Sequence, residues 1–340
     1  MMRTLFVSLS VSLVFTSAAV WAQQAVAPAL STADFIQAVD RDWAVPRTDN
    51  FVRTSSQLQS ALQAMCNASA ENGETALSRT RQQWLATLSS WQRLSSVAIG
   101  PLIERRSQRQ IDFTPTRPAL IEKAVKAAPT TLANMELVGT PAKGLPALEW
   151  MLWVKPITPA SPECRYAVLV AAEIEREARA LNTAYKQAAS QKLAEPAAQT
   201  ALNELVNQWV GGMERLSWGD MAMPVRVAIT AKRDTPDFPH RVSGATTASW
   251  AAQWDALRTL AAGSGYSIET TLRTHGQDQA ADALSSAIQQ ADKAMQGLNT
   301  RDSARILDAG RQLTALKQLV EDKVATSLGV PIGFSDADGD

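Results

Sequence analysis

The chain has 340 residues, 46% hydrophobic, 19% charged and 6% aromatic, a balance that excludes a disordered or collagen-like polymer and leaves room for one or two domains. Its 33 basic and 33 acidic residues cancel, so it lacks the basic excess that draws a protein to nucleic acid or an anionic membrane. Two His and two Cys also limit metal chemistry: one such chain cannot assemble a three-His site, a zinc ribbon or an iron–sulfur cluster.

The chain opens with Met1, Met2 and Arg3, runs apolar from Leu5 to Phe15 and reaches the small residues Ser17, Ala18 and Ala19. That order reads as a signal peptide over 1–22, cleaved after Ala22, because the apolar run is too short to span a bilayer. Residues 23–30 read as a disordered lead. The mature chain is therefore expected in the periplasm, exported across the inner membrane and without a transmembrane segment. In such an oxidising compartment Cys66 and Cys164 are expected to form a structural disulfide, with buried free thiols as the alternative.

Beyond the lead the dominant period is helical and strand signals are nearly absent, so the fold is predicted all-α. Ser31 and Asp34 form a capping pair for a first helix near 31–44, which Pro46 should stop. Trp84, Leu88, Trp91 and Leu94 recur at helical spacing until Gly100-Pro101 interrupts them. A long helix is expected over about 165–192, followed by one ending near residue 216.

Gly219, Pro224, Pro236, Pro239 and Gly244 make 217–246 the longest irregular stretch, read as a linker. Helices near 247–275, 279–297 and 302–327 follow. The division is thus a first helical bundle region at 31–216, a second at 247–330 and an acidic tail at 331–340. The tail's Asp336-x-Asp338-Gly339-Asp340 looks like the start of a calcium loop but lacks the later bidentate Glu, and reads as solvated.

Two segments stand apart from this background, Arg109-Gln110-Ile111-Asp112-Phe113 and Gly144-Leu145-Pro146-Ala147-Leu148-Glu149-Trp150-Met151-Leu152-Trp153. Together with Trp91-Gln92, Gly100-Pro101, Cys164-Arg165-Tyr166, Met223-Pro224-Val225-Arg226 and the terminal Leu328-Gly329-Val330, they make the chain resemble the imelysin-like family of exported bacterial helical proteins. The resemblance implies two packed helical bundles with a pocket between them, bordered by a Gly-x-His-x-x-Glu signature. His and Glu three positions apart share one helical face and can grip the same ion. Here Gly144 and Glu149 hold the outer positions, but Pro146 stands where the His is expected, and Pro has no lone pair to offer.

Hydrolytic zinc sites take three protein ligands and a water, and the chain has no His-Glu-x-x-His segment, so the sequence leans away from an enzyme without deciding the matter. His240 and His275 read as a loop residue and a helix-end residue rather than ligands. The candidate pocket is Gly144, Pro146, Glu149, Arg109, Asp112, Trp91 and Trp153, with Glu149 the candidate metal ligand. Plainer readings exist for each: a salt bridge from Glu149 to Arg109, Arg105 or Lys143, a loop pinned by Arg109 and Asp112, and tryptophans that are core.

Hard oxygen ligands suit iron or calcium better than zinc. The resemblance also implies a link to iron acquisition, so the expected function is a non-catalytic periplasmic binding component for a metal or small polar ligand, or for an envelope protein. The alternatives are a metallopeptidase with a variant metal site and a partner-binding structural module whose pocket has decayed.

Overall fold

The computed structural model describes residues 31–333 apart from residue 264. The expected signal peptide 1–22, the lead 23–30 and residues 334–340 of the expected tail, with its calcium-loop-like Asp336 to Asp340, lie outside the described residues. Among the described residues all regular structure is helical and no strand occurs.

Helix α1 covers 32–66 as two α-helical stretches, Thr32–Ala38 and Val45–Cys66, joined by a π turn, Val39–Ala44. Helix α2 is Gly73–Ser95. Four short helices, α3 (Pro101–Glu104), α4 (Ser107–Ile111), α5 (Pro118–Ala127) and α6 (Leu132–Met135), lead to α7. Helix α7 spans 144–154, its α-helical Gly144–Glu149 opening into a π turn, Trp150–Val154. Helix α8 is Pro162–Ala189.

Helix α9 spans 195–230 and contains a π segment, Arg215–Ala222, between Glu195–Glu214 and Met223–Thr230. Helices α10 (Thr246–Ala261), α11 (Ile268–Thr274) and α12 (Asp278–Met295) precede α13, which spans 303–327 through a further π turn, Val320–Val324.

The first helix begins as its sequence requires, with the Ser31 hydroxyl accepting from Asp34 N–H at 3.1 Å. It does not stop at Pro46, however, and the stretch expected to be irregular is helical as far as Thr230. The reason is the same in both places. Pro46 and Pro224 are each the second residue after a π turn, in which Val45 N–H reaches back to Asp40 O and Met223 N–H to Trp218 O. The widened turn puts each proline in an effective first turn, where its missing N–H leaves no partner unsatisfied. Within 217–246 irregular chain is confined to 231–245.

The helix expected over 247–275 is instead two, broken after Ala261. A Cβ on Gly263 would stand 2.4 Å from the Thr259 carbonyl oxygen, and Ser267 caps the next helix by accepting from Thr270 N–H at 3.2 Å.

Helix α1 lies along α2 and α8, burying Phe35, Phe51, Leu58 and Leu62, while the π segment of α9 packs on α13, itself paired with α12. Helix α2 meets α10, and one continuous apolar core joins the two groups of helices. At that junction α9 approaches the end of α2 so closely that a Cβ on Gly212 would lie 2.2 Å from the Ser96 carbonyl oxygen. The expected disulfide is present: Cys66, the last residue of α1, is bonded to Cys164 in the first turn of α8. Among the described residues no helix is long and apolar enough to cross a membrane.

Candidate functional site

The structure brings the 112 and 149 segments together through one glycine. Gly144 opens α7 at φ +75°, and a Cβ there would meet the Ile111 carbonyl oxygen at 2.4 Å. That contact sets the start of α7 against the end of α4, so Asp112 and Glu149 approach the same interior region. Pro146 is buried in the first turn of α7, and the Trp84 indole N–H holds the Leu145 carbonyl at 3.1 Å.

Glu149 is buried at 6% exposure, and its partners come from the loop 231–245. His240 Nδ1 donates to Oε2 at 3.1 Å, and Ser243 donates to Oε1 through its hydroxyl at 2.5 Å and its backbone N–H at 3.3 Å. His240 is held at φ +57°, a conformation that only surrounding contacts sustain in a non-glycine residue. Those contacts are Ala245 N–H donating to His240 O, Thr246 hydroxyl donating to Pro239 O, and the Phe238 ring set edge-on to Trp250. The imidazole itself lies edge-on to Trp84, with 5.9 Å between ring centroids.

Asp112 accepts from both Trp91 Nε1 and Gln92 Nε2 at 3.1 Å through Oδ2, while its buried Oδ1 has no partner. Asp220, from the π segment of α9, accepts from Gln253 Nε2 of α10 at 2.7 Å; the Gln253 Oε1 is again buried and unpartnered. Arg215, one π-helical turn before Asp220, donates to the carbonyls of Ser95 and Ser96, each at 3.2 Å. Two stretches of π-helix thus flank the cluster, one directly after Glu149 and one carrying Arg215 and Asp220.

These charges act on one another. Burial works to lower the His240 pKa, but the Glu149 hydrogen bond and the charges of Asp112, Glu149 and Asp220 outweigh it and raise the group. Desolvation pushes Asp220 up against the opposing pull of Gln253, Arg215 and His240, and it pushes Arg215 down.

Of the expected pocket residues, Gly144, Pro146, Glu149, Asp112 and Trp91 come together here. Trp91 is both fully buried core and the donor to Asp112. Trp153 is half-buried, edge-on to Trp84 at 5.0 Å with the Arg81 guanidinium over it, one ring away from the cluster. Arg109 does not join them: it is exposed on α4, and the arginine facing Asp112 is Arg215.

The salt bridges envisaged for Glu149 are likewise made elsewhere, Arg105 with Glu177 at 2.7 Å and Lys143 with Glu173 at 3.1 Å. His275 is a helix-end residue as expected, with Nδ1 2.8 Å from Thr271 O. His240 lies in a loop as expected, and it is also the direct partner of Glu149. Among the described residues, no three His, Cys, Asp or Glu side chains stand close enough to hold a metal ion by themselves.

The sequence matches the profile of the Imelysin family over residues 44–326, most of its length, and the chain belongs to that family. None of the curated proteins matches it. Among solved structures it is similar to an imelysin-like protein from Psychrobacter arcticum 273-4, with TM-score 0.75 and 19% identity over 91% of this chain and 98% of that one. It is also similar to a "putative iron-regulated protein A precursor" from Parabacteroides distasonis ATCC 8503, with TM-score 0.69 and 12% identity over 90% of this chain and 95% of that one. At these identities the likeness is one of fold.

Proposed function

We propose that this protein is an exported, periplasmic binding component linked to iron acquisition, and that it holds a metal or small polar ligand in the interior cluster without hydrolysing it. The observation that carries this reading is the convergence of Glu149, His240, Asp112, Asp220 and Arg215 from separate segments onto one buried region. Burying ionisable groups is unfavourable unless they are paired or serve a ligand, and such clusters mark functional sites.

Export is supported by the N-terminal sequence and by the disulfide, which suits an oxidising compartment. The iron link is supported by the name of one structural neighbour. The non-hydrolytic part of the reading is supported by how Glu149 is used: both of its oxygens are engaged by the loop, so Glu149 itself is not free to activate a water.

The test is calorimetric titration of the mature, disulfide-intact protein with ferric citrate and with calcium chloride. Saturable binding that weakens at least tenfold in Glu149→Ala is expected. Equal affinity in the variant removes Glu149 from the site, and no binding of either probe counts against the reading itself.

A further inference from the structure

A cleft of about 540 Å³ opens where α1 and α5 end and α8 begins, and none of its lining residues belongs to the Glu149 cluster. Its apolar wall is made by Cys66 at the end of α1, Val125 of α5, and Val168 and Leu169 of α8. Each of these four packs against the core on one side and is only half-buried. The cleft is therefore a place where the chain leaves core surface uncovered. A concavity of several hundred Å³, walled mostly by apolar groups with a few polar ones, has the make-up of a small-molecule site.

The polar groups of the cleft are unequal. Gln63, Asn67 and Thr130 are neutral, and Arg165 is the one charged side chain among the described lining residues. Pro162, Arg165 and Leu169 follow one another at three- and four-residue steps on α8, so the guanidinium and the apolar wall share one helix face. Arg165 Nη1 donates to the Ala160 carbonyl at 2.8 Å, and Ala160 N–H donates to the Cys66 carbonyl at 3.0 Å, which tethers the guanidinium near the disulfide. Further along α8, Arg176 pairs with Glu173 and Arg179 with Glu175. Among the described residues no carboxylate pairs with Arg165, and its other N–H donors stay open.

An uncovered apolar wall beside an unpaired guanidinium selects a molecule with an apolar body and an anionic end. One guanidinium balances one negative charge, and its planar fork matches a carboxylate. The only aromatic ring among the described lining residues is Tyr166, which is buried with its hydroxyl committed to the Ala142 carbonyl at 2.7 Å. With no exposed ring to stack a flat ligand, the apolar body is favoured as an alkyl chain.

We propose that this cleft binds an alkyl carboxylate of medium chain length, its chain against Val125, Val168 and Leu169 and its carboxylate on Arg165. The Cys66–Cys164 bond fixes the end of α1 to the start of α8, so this side of the cleft is in place before a ligand arrives. The site is separate from the ligand role proposed for the interior cluster, and either stands without the other.

Calorimetric titration of the mature, disulfide-intact protein with sodium octanoate makes the test, with 1-octanol, octyltrimethylammonium bromide and sodium acetate for comparison. Octanoate is expected to bind saturably and more tightly than octanol, octyltrimethylammonium more weakly than octanol, and acetate not at all, because the chain supplies most of the buried apolar surface. Arg165→Gln, at an exposed position, should weaken octanoate about fivefold, the scale of an accessible ion pair, and leave octanol unchanged. Leu169→Gln should weaken octanoate and octanol alike. Far-UV circular dichroism and a urea midpoint equal to wild type in Arg165→Gln keep a folding defect from imitating the effect.

Octanoate bound no more tightly than octanol, or with wild-type affinity in Arg165→Gln, overturns the recognition of a carboxylate. Octanoate affinity unchanged in Leu169→Gln, or no saturable binding of octanoate, overturns the cleft as the site.

Discussion

The α-carbon of Gly144 rests against the carbonyl of Ile111, with no room for even a methyl group between them: a Cβ would lie 2.4 Å from that oxygen. The contact is backbone to backbone, so no side-chain movement relieves it, and φ at Gly144 is +75° as well. Gly144→Ala is therefore expected to cost more than about 2 kcal/mol, from the strained dihedral and the forced separation of α4 from α7. Because Asp112 follows Ile111 directly, ligand affinity should fall with it. Urea unfolding of the two proteins measures the first effect, and a change below 0.5 kcal/mol, the ordinary scatter of surface substitutions, would show that the backbones separate without penalty.

The pairing of His240 with Glu149 gives the imidazole a raised pKa, carried by the Glu149 hydrogen bond and neighbouring carboxylates against the opposing effect of burial. A cationic group raised in the folded state contributes stability that is fully present below its unfolded value of about 6.5 and is lost as pH rises through the folded value. The chain has only two histidines, so proton NMR of the imidazoles is readily assigned with a His275→Gln variant. His240 should titrate above about 6.5, and Glu149→Gln should shift it downward. A His240 midpoint at or below the ordinary value would contradict the buried ion pair.

How much of this was legible in the sequence depends on the kind of signal. The all-α fold, the Ser31 cap and the disulfide follow from local chemistry: helical period, a hydroxyl before a first turn, and two lone thiols in an exported chain. Glu149 and Asp112 stood out because their segments break the amphipathic pattern, whereas Trp91 sits on the helical period and came in through the family resemblance.

Arg215, Asp220 and His240 were hidden for a physical reason. Pro224 and the glycines around it resemble loop chemistry, whereas a π turn absorbs the proline and keeps α9 continuous, and that widened turn carries Arg215 and Asp220 inward. Gln253 did leave a trace, since a glutamine between Trp250 and Trp254 falls on the buried face of α10, where an amide needs a partner. His240 left only the fact that a chain with two imidazoles lacks one at position 146. Its contact with Glu149 spans 91 residues, and no periodicity encodes that.

Asp40 offers a pH test remote from the cluster. It lies in the π turn of α1, and desolvation, with the charge of Glu204 adding to it, raises its pKa to about 7. A carboxyl raised in the folded state binds more protons folded than unfolded between about pH 4 and 7, so stability falls as pH rises through that window. Asp40→Asn should remove Asp40's part of this slope, leaving that of His240, and stabilise the protein at pH 8 by up to about 4 kcal/mol from the size of the shift. Urea midpoints at pH 5 and pH 8 suffice. If the variant loses as much stability across that interval as wild type does, Asp40 is not the titrating group.

The Cys66–Cys164 bond closes 98 residues of sequence and ties the end of α1 to the start of α8. Loop-closure entropy for a ring of that length corresponds to about 4 to 5 kcal/mol relative to an unconstrained unfolded chain. Replacing both cysteines with serine should therefore lower the urea midpoint substantially while leaving the helical spectrum of the native state intact. Reduction of the wild type by dithiothreitol should reproduce the loss. A midpoint within error of the oxidised protein in both cases would mean the unfolded chain gains nothing from release of the crosslink.

The loop 231–245 carries the final prediction, because its hold on the core near Glu149 is concentrated in a few polar bonds. Among the described residues His240 and Ser243 supply the side-chain hydrogen bonds to Glu149, and the exposed Lys232, Arg233 and Arg241 give trypsin three sites in the same loop. A cleft of about 390 Å³ lined by Arg241, Gly244, Thr246 and Asn299 adjoins the loop. Glu149→Ala removes three anchoring bonds and leaves the His240 imidazole without its acceptor, so local opening should become more frequent while the helices stay folded. Cleavage at Arg241 should accelerate several-fold under native conditions, with sites on the long helices unaffected. Glu149→Gln, which still accepts from Ser243, should fall between the two. Identical digestion of Glu149→Ala and wild type would show that the Phe238–Trp250 packing and the Thr246–Pro239 bond pin the loop without Glu149.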